Sequence, residues 1–300
     1  MDGGSVLMKV IKSSIFIVLL STLFSPVESH PGGNMISVNG LLIWQYVYPP
    51  SSLEHYSTVY IWDEVHGTRT LIQSEFNSSD FHFYAKGDTV FYAEFQDINN
   101  GSRFRLLKGL AGDVPDEIWP WQNAHEFGDT GGFYISDSKE IIFAKYPSIY
   151  SIDKNGLTRL VHEFEEPIGG LTKVEDGLLL NSPTKVWLVD ENYTVLKVWD
   201  DLINPDQENI PFMGNRIFSA DYKNGELLVA YWGGRSFFKV ALDGAKESLL
   251  QLPDKYTAHW IAFGEEGYFL FGSQINPPDP IIPVLYLHRK GENIMLWGED

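Results

Sequence analysis

Residues 112–130 read GDVPDEIWPWQNAHEFGDT, in which Trp119 and Trp121 flank Pro120 and Asp116, Glu117, His125, Glu126 and Asp129 lie close by in sequence. Aromatic faces beside hydrogen-bond acceptors hold sugar rings and peptide side chains, because the ring takes the apolar C–H face and the acceptors take hydroxyl or amide protons. This makes Trp119, Trp121, His125, Glu126 and Asp129 candidate ligand-binding residues. The same composition has a second reading, in which the tryptophans cap the apolar edge of a sheet. Two further side chains of chemical interest, His82 and His259, are far apart in the chain and need a fold to bring them together.

Other chemistry is missing from the pattern. No G-x-S-x-G elbow, no H-E-x-x-H pair and no P-loop is present. Asp97-Ile98-Asn99-Asn100-Gly101 has the start of a calcium loop, but Gly101 comes one position early and Lys108 stands where the closing Glu belongs. The stretch reads better as a hairpin turn. With no cysteine, the chain has no disulfide and no thiolate chemistry.

The elements that must position these residues are strands. In residues 133–161, a short β-rich run is followed by a turn at Asp137-Ser138-Lys139 and an apolar run over residues 140–145. Alternation over 148–153 comes next, then an Asn155-Gly156 turn and a last run over 157–161. Four strands in this span make one propeller blade. The turn between first and second strands recurs at Asn39-Gly40, Lys86-Gly87, Ser138-Lys139, Asp176-Gly177, Asn224-Gly225 and Glu266-Gly267. The spacing is near the roughly 40 to 50 residues of a blade, which predicts six blades and leaves no room for a second domain. Each sheet has apolar residues on both faces, such as Val90, Tyr92 and Phe95, so only a ring of sheets can bury them all. The expected fold is all-β, a six-bladed β-propeller over residues 30–300.

Ile135-Ser136-Asp137-Ser138-Lys139-Glu140-Ile141-Ile142-Phe143-Ala144, with Ile149-Tyr150-Ser151-Ile152-Asp153 and Gly156-Leu157-Thr158-Arg159-Leu160, resembles the WD40-like repeat of TolB-type six-bladed propellers. The family usually carries Pro-Asp-Gly where Ser136-Asp137-Ser138 stands. Leu228-Val229-Ala230-Tyr231-Trp232, with Lys239-Val240-Ala241-Leu242-Asp243-Gly244, resembles a YWTD repeat, departing at Gly233 and Gly234. Both resemblances imply the same architecture, and neither implies an activity.

In a propeller, the segments leading into the innermost strands share one face around the central channel. There Asn34, His82, Asp129, Glu165, Glu166, Asn215 and His259 would gather. His82 and His259 join the candidate ligand-binding set. Such a mouth could take Ca²⁺, or let some of His82, Asp129, Glu166 and His259 hold a metal as in six-bladed lactonases and sugar dehydrogenases. No catalytic residue is assigned, and no cofactor is required. The leading expectation is a binding or protein-interaction module; the alternative is a metal-dependent propeller enzyme.

Lys9 and Lys12 precede an apolar run over residues 15–24, and small-residue spacing at Val27 and Ser29 follows, the pattern of a secretory signal peptide over residues 1–29. Its removal takes Asp2 and Glu28 along with Lys9 and Lys12, so the net charge stays at -18. A surface this acidic repels nucleic acid and anionic lipid, which leaves protein, peptide or carbohydrate partners for an expected monomer in the periplasm or medium.

Overall fold

The computed structural model describes residues 35–48, 56–75, 79–98, 101–123, 132–145, 147–166, 168–211, 213–274 and 282–298. The expected signal peptide lies outside them. Among the described residues no helix is long and apolar enough to cross a membrane.

Every regular element among the described residues is a strand. Blade 1 holds Met35–Val38, Leu41–Tyr48, Tyr56–Asp63 and Gly67–Gln73 (β1 to β4), and blade 2 holds Ser79–Lys86, Thr89–Ile98, Gly101–Leu110 and Asp116–Asn123 (β5 to β8). Blade 3 holds Phe133–Ile135, Ile141–Lys145, Ser148–Ile152 and Thr158–Glu163 (β9 to β12); blade 4 holds Gly170–Val174, Gly177–Asn181, Val186–Val189 and Val195–Trp199 (β13 to β16). Blade 5 holds Ile217–Lys223, Glu226–Tyr231, Ser236–Val240 and Lys246–Gln251 (β17 to β20), and blade 6 holds Tyr256–Phe263, Tyr268–Gln274, Ile282–Arg289 and Glu292–Trp297 (β21 to β24). Each sheet contains four consecutive strands in chain order, all antiparallel. The six blades expected from the turn spacing are the six sheets found.

The turns show why the spacing is readable. At Asn39-Gly40 and Asn224-Gly225 both central residues have positive φ (51° and 74°, 52° and 84°). That is the geometry of a type I′ turn, whose twist matches the flanking strands and which asparagine and glycine adopt at least cost.

Alternation along each strand sends neighbouring residues to opposite seams. In β18, Leu227, Val229 and Tyr231 pack towards blade 4, whereas Leu228 and Ala230 pack towards blade 6. Each seam between neighbouring blades has its own apolar cluster, six in all. The ring closes in the same way. Among the described residues no strand from one end of the chain completes the sheet at the other; Met35, Trp44, Tyr60 and Trp62 of blade 1 pack instead on Trp260, Phe269, Phe271 and Leu285 of blade 6.

Candidate functional site

The two faces of the ring differ. Turns joining first to second and third to fourth strands share one face, here the lower, and they are short, as at residues 39–40, 64–66, 224–225 and 290–291. Connections between second and third strands, and between blades, lie on the upper face and include the longest, residues 200–216.

Between the faces runs a channel of about 320 Å³, lined from all six inner strands by residues that include Ser37, Tyr84, Phe133, Thr172, Asp221 and Trp260. The exposed edges of inner strands carry unpaired backbone groups, and side chains of the wall satisfy some of them. Ser219 Oγ accepts from the N–H of Ile261 at 3.2 Å, and Asp221 accepts from that of Phe263 at 2.9 Å, knitting β17 to β21. Burial pushes the Asp221 carboxyl above the usual carboxylate range, against the lowering effect of the Phe263 and Tyr222 N–H groups and of Lys223.

His82 and His259 both sit midway along inner strands, β5 and β21, and both are buried. The His82 ring stands edge-on to Phe95 at 5.1 Å, and its Nδ1 has no partner. Burial alone drives its pKa down to about 4, so the ring is neutral. His259 is satisfied: Nε2 lies 2.8 Å from Ser273 Oγ and 3.1 Å from Thr257 Oγ1, inside a cage of Phe218, Trp232, Trp260 and Phe271. Glu166 pairs with Lys185 at 2.6 Å. Among the described residues no three of His, Asp and Glu come together as a metal site. Asn34 and Asp129 lie outside the described residues.

Asp116–Asn123 is β8, the outermost strand of blade 2, and Pro120 is tolerated there because an outer edge demands no donor on one side. The two tryptophans point to opposite faces. Trp119 joins the apolar seam between blades 2 and 3, with its ring 6.3 Å from Phe104. Trp121 is half-buried on the other face, under the guanidinium groups of Arg103 and Arg105 at 4.5 and 5.1 Å. Beneath these arginines the fully buried carboxylate of Glu94 accepts from Arg105 Nε at 2.6 Å and Ser74 Oγ at 2.7 Å. His125, Glu126 and Asp129 follow β8 and lie outside the described residues. Of the candidate ligand-binding residues, Trp121 therefore presents a partly open ring, and Trp119, His82 and His259 are packed into seams or wall.

At the upper end of blade 5 the sequence placed Asn215 on the channel face but gave no sign of its neighbour Arg216. Asn215, in the segment leading into β17, accepts from Tyr231 OH at 2.5 Å and donates to the Asn204 carbonyl at 3.0 Å. Gly233 is obligatory beside it, since a Cβ there would stand 2.3 Å from Asn215 Oδ1. The next residue, Arg216, gives its carbonyl to Trp232 N–H at 3.0 Å. Its guanidinium makes no ion pair or hydrogen bond among the described residues, with Nε buried and unpartnered, and burial lowers its pKa. Nothing in the sequence marks this arginine, because lack of a partner is a property of the folded state only.

No family model and no curated protein matches the sequence. Solved structures do. A streptogramin B lyase superposes with a TM-score of 0.50 at 12% identity, covering 91% of this chain and 96% of that one. A virginiamycin B lyase from Staphylococcus aureus gives 0.50 at 11% identity, covering 82% and 92%. The β-propeller domain of the Trilobed protease from Pyrococcus furiosus gives 0.48 at 9% identity, covering 88% and 96%. The likeness is one of fold. At such identities the propeller's neighbours say nothing of its chemistry.

Proposed function

We propose that this propeller is a binding module acting outside the cytoplasm, in the periplasm or the medium, that takes a protein, peptide or carbohydrate ligand on its upper face. The asymmetry of the faces carries the reading. Tight turns below leave little to vary, while the upper face has the long 200–216 connection, pinned by Asn215 and Tyr231. A rigid ring that holds loops of this kind is a platform for recognition. The signal-peptide pattern of residues 1–29 and the charge of -18 support the compartment and argue against polyanionic partners.

A photo-crosslinking amino acid at Glu208, in the upper connection, and another at Lys154, in a lower turn, test this in cells of the native host. Adducts to one partner from Glu208 and none from Lys154 are expected. Adducts from Lys154 alone, or turnover of a small substrate by protein that yields no adduct at either position, would overturn the reading.

A further inference from the structure

In a chain with 40 acidic and 22 basic side chains, a guanidinium without any partner is unusual. The other arginines are engaged: Arg69 with Asp63, Arg105 with Glu94, Arg159 with Glu140, Arg289 with Glu64 and Glu266, Arg103 with Gln96, and Arg235 with the Asp254 carbonyl. Arg216 alone has no such partner among the described residues.

Its backbone, by contrast, is fixed on every side. The carbonyl accepts from Trp232 N–H, the following Ile217 N–H donates to the Pro183 carbonyl at 2.7 Å, and the preceding Asn215 is tied to Tyr231 and Asn204. Two residues further along the chain, the half-buried ring of Phe218 stacks on Trp232 at 5.1 Å and 23°, and the Trp232 indole N–H is buried without a partner. An anchored backbone under an unpaired cation leaves the side chain little to lose in ordering when it meets a ligand.

We infer that Arg216 is a carboxylate-binding subsite on the upper face, with Phe218 as the neighbouring apolar contact. This rests on the binding-module reading and gives the ligand a chemistry. A planar guanidinium offers two parallel N–H donors that match a carboxylate, and partial burial strengthens the pair relative to one in open water. The acidic surface disfavours a dianion such as phosphate, so the group recognised is a single carboxylate on an otherwise neutral ligand, either a peptide C-terminus or a uronic acid.

The test follows the Arg216 Nε–H and Trp232 Nε1–H resonances in ¹⁵N-labelled protein, with N-acetylglycine against N-acetylglycinamide and glucuronate against glucose. Saturable shifts of both signals with one or both acids, absent with the neutral partners, are expected, and the acid that binds more tightly identifies the source. In Arg216→Gln the Trp232 response should weaken at least tenfold, while the melting temperature holds or rises because an unpaired charge has been removed. If no acid moves these signals, or Arg216→Gln responds as wild type does, or the variant melts several degrees lower, the subsite is overturned. Shifts confined to other upper-face residues would overturn the subsite and leave the binding-module reading standing.

Discussion

Trp297, in the last strand of blade 6, places its ring 4.9 Å from that of Tyr60, in the third strand of blade 1. The same indole meets Trp44 at 5.8 Å, Tyr46 at 6.4 Å and Phe271 at 6.5 Å. Side chains, with no shared strand, therefore join the two ends of the ring. The Arg289–Glu64 bridge crosses the same seam but is exposed, and a surface pair of this kind contributes at most about 1 kcal/mol. Replacing Trp297 with alanine should cost about 3 kcal/mol, read from the shift of a urea midpoint at unchanged slope. A cost below about 0.5 kcal/mol, the level of ordinary surface changes, would show that the seam does not depend on it.

The tryptophans of β8 should separate in a paired experiment. Trp119→Ala opens a cavity in the seam between blades 2 and 3 and should destabilise by about 2 to 4 kcal/mol. Trp121→Ala removes a ring half-open to solvent, with its cation–π contacts to Arg103 and Arg105, about 1 kcal/mol. Equal losses of melting temperature in the two variants would contradict the placement of their side chains.

Arg105 and Glu94 form a pair whose halves are not equivalent. Arg105→Met leaves the Glu94 carboxylate buried without its cation and should cost about 3 to 5 kcal/mol, while the double change Glu94→Leu with Arg105→Met should recover most of that. Chemical denaturation of the singles and the double measures the coupling. A double variant that loses as much as the two singles together would sink the pairing.

His82 predicts a pH dependence. Its folded pKa of about 4 lies below the unfolded 6.5, so the unfolded chain binds the proton first. The neutral ring's contribution is present in full above pH 6.5 and lost progressively as pH falls towards 4, up to about 3 kcal/mol. Asp63 lies well below the usual carboxylate range, chiefly through Arg69, and its contribution is lost only below pH 3.8. Asp221, raised by burial, has the opposite sign and withdraws stability as pH climbs through 3.8. The difference between wild type and His82→Gln isolates the histidine: unfolding free energies that converge between pH 7 and pH 4 are expected, and parallel curves would refute the assignment.

The architecture was legible because its signals are local. Asn39-Gly40 and Asn224-Gly225 demand positive φ, and the apolar pairs of β18 betray a sheet buried on both faces. Residues 112–130 were harder to place, because Pro120 breaks the alternation and bulges between Phe104 and Leu107 shift the pairing of β7 with β8. The site was less legible still. His82 and His259 were expected at the channel mouth, in the segments leading into the inner strands, and lie instead midway along β5 and β21, where His259 takes its hydroxyl partners Thr257 and Ser273 from its own blade. Arg216 gave no sign at all, because an arginine is distinguished by what it fails to meet only after the chain has folded.

Because every sheet is built from consecutive strands, all strand pairing among the described residues is completed within one stretch of chain, and contacts between blades are made mostly by side chains, with a few backbone bonds such as that of Ile217 N–H to the Pro183 carbonyl. A blade can thus finish its strand pairing while the residues after it are still being delivered. Low contact order makes each step fast, and docking blade 6 on blade 1 is left as the final, purely side-chain event. A relinked chain that starts at Phe133 and runs from blade 6 into blade 1 should retain the same six sheets and merely exchange which seam forms last.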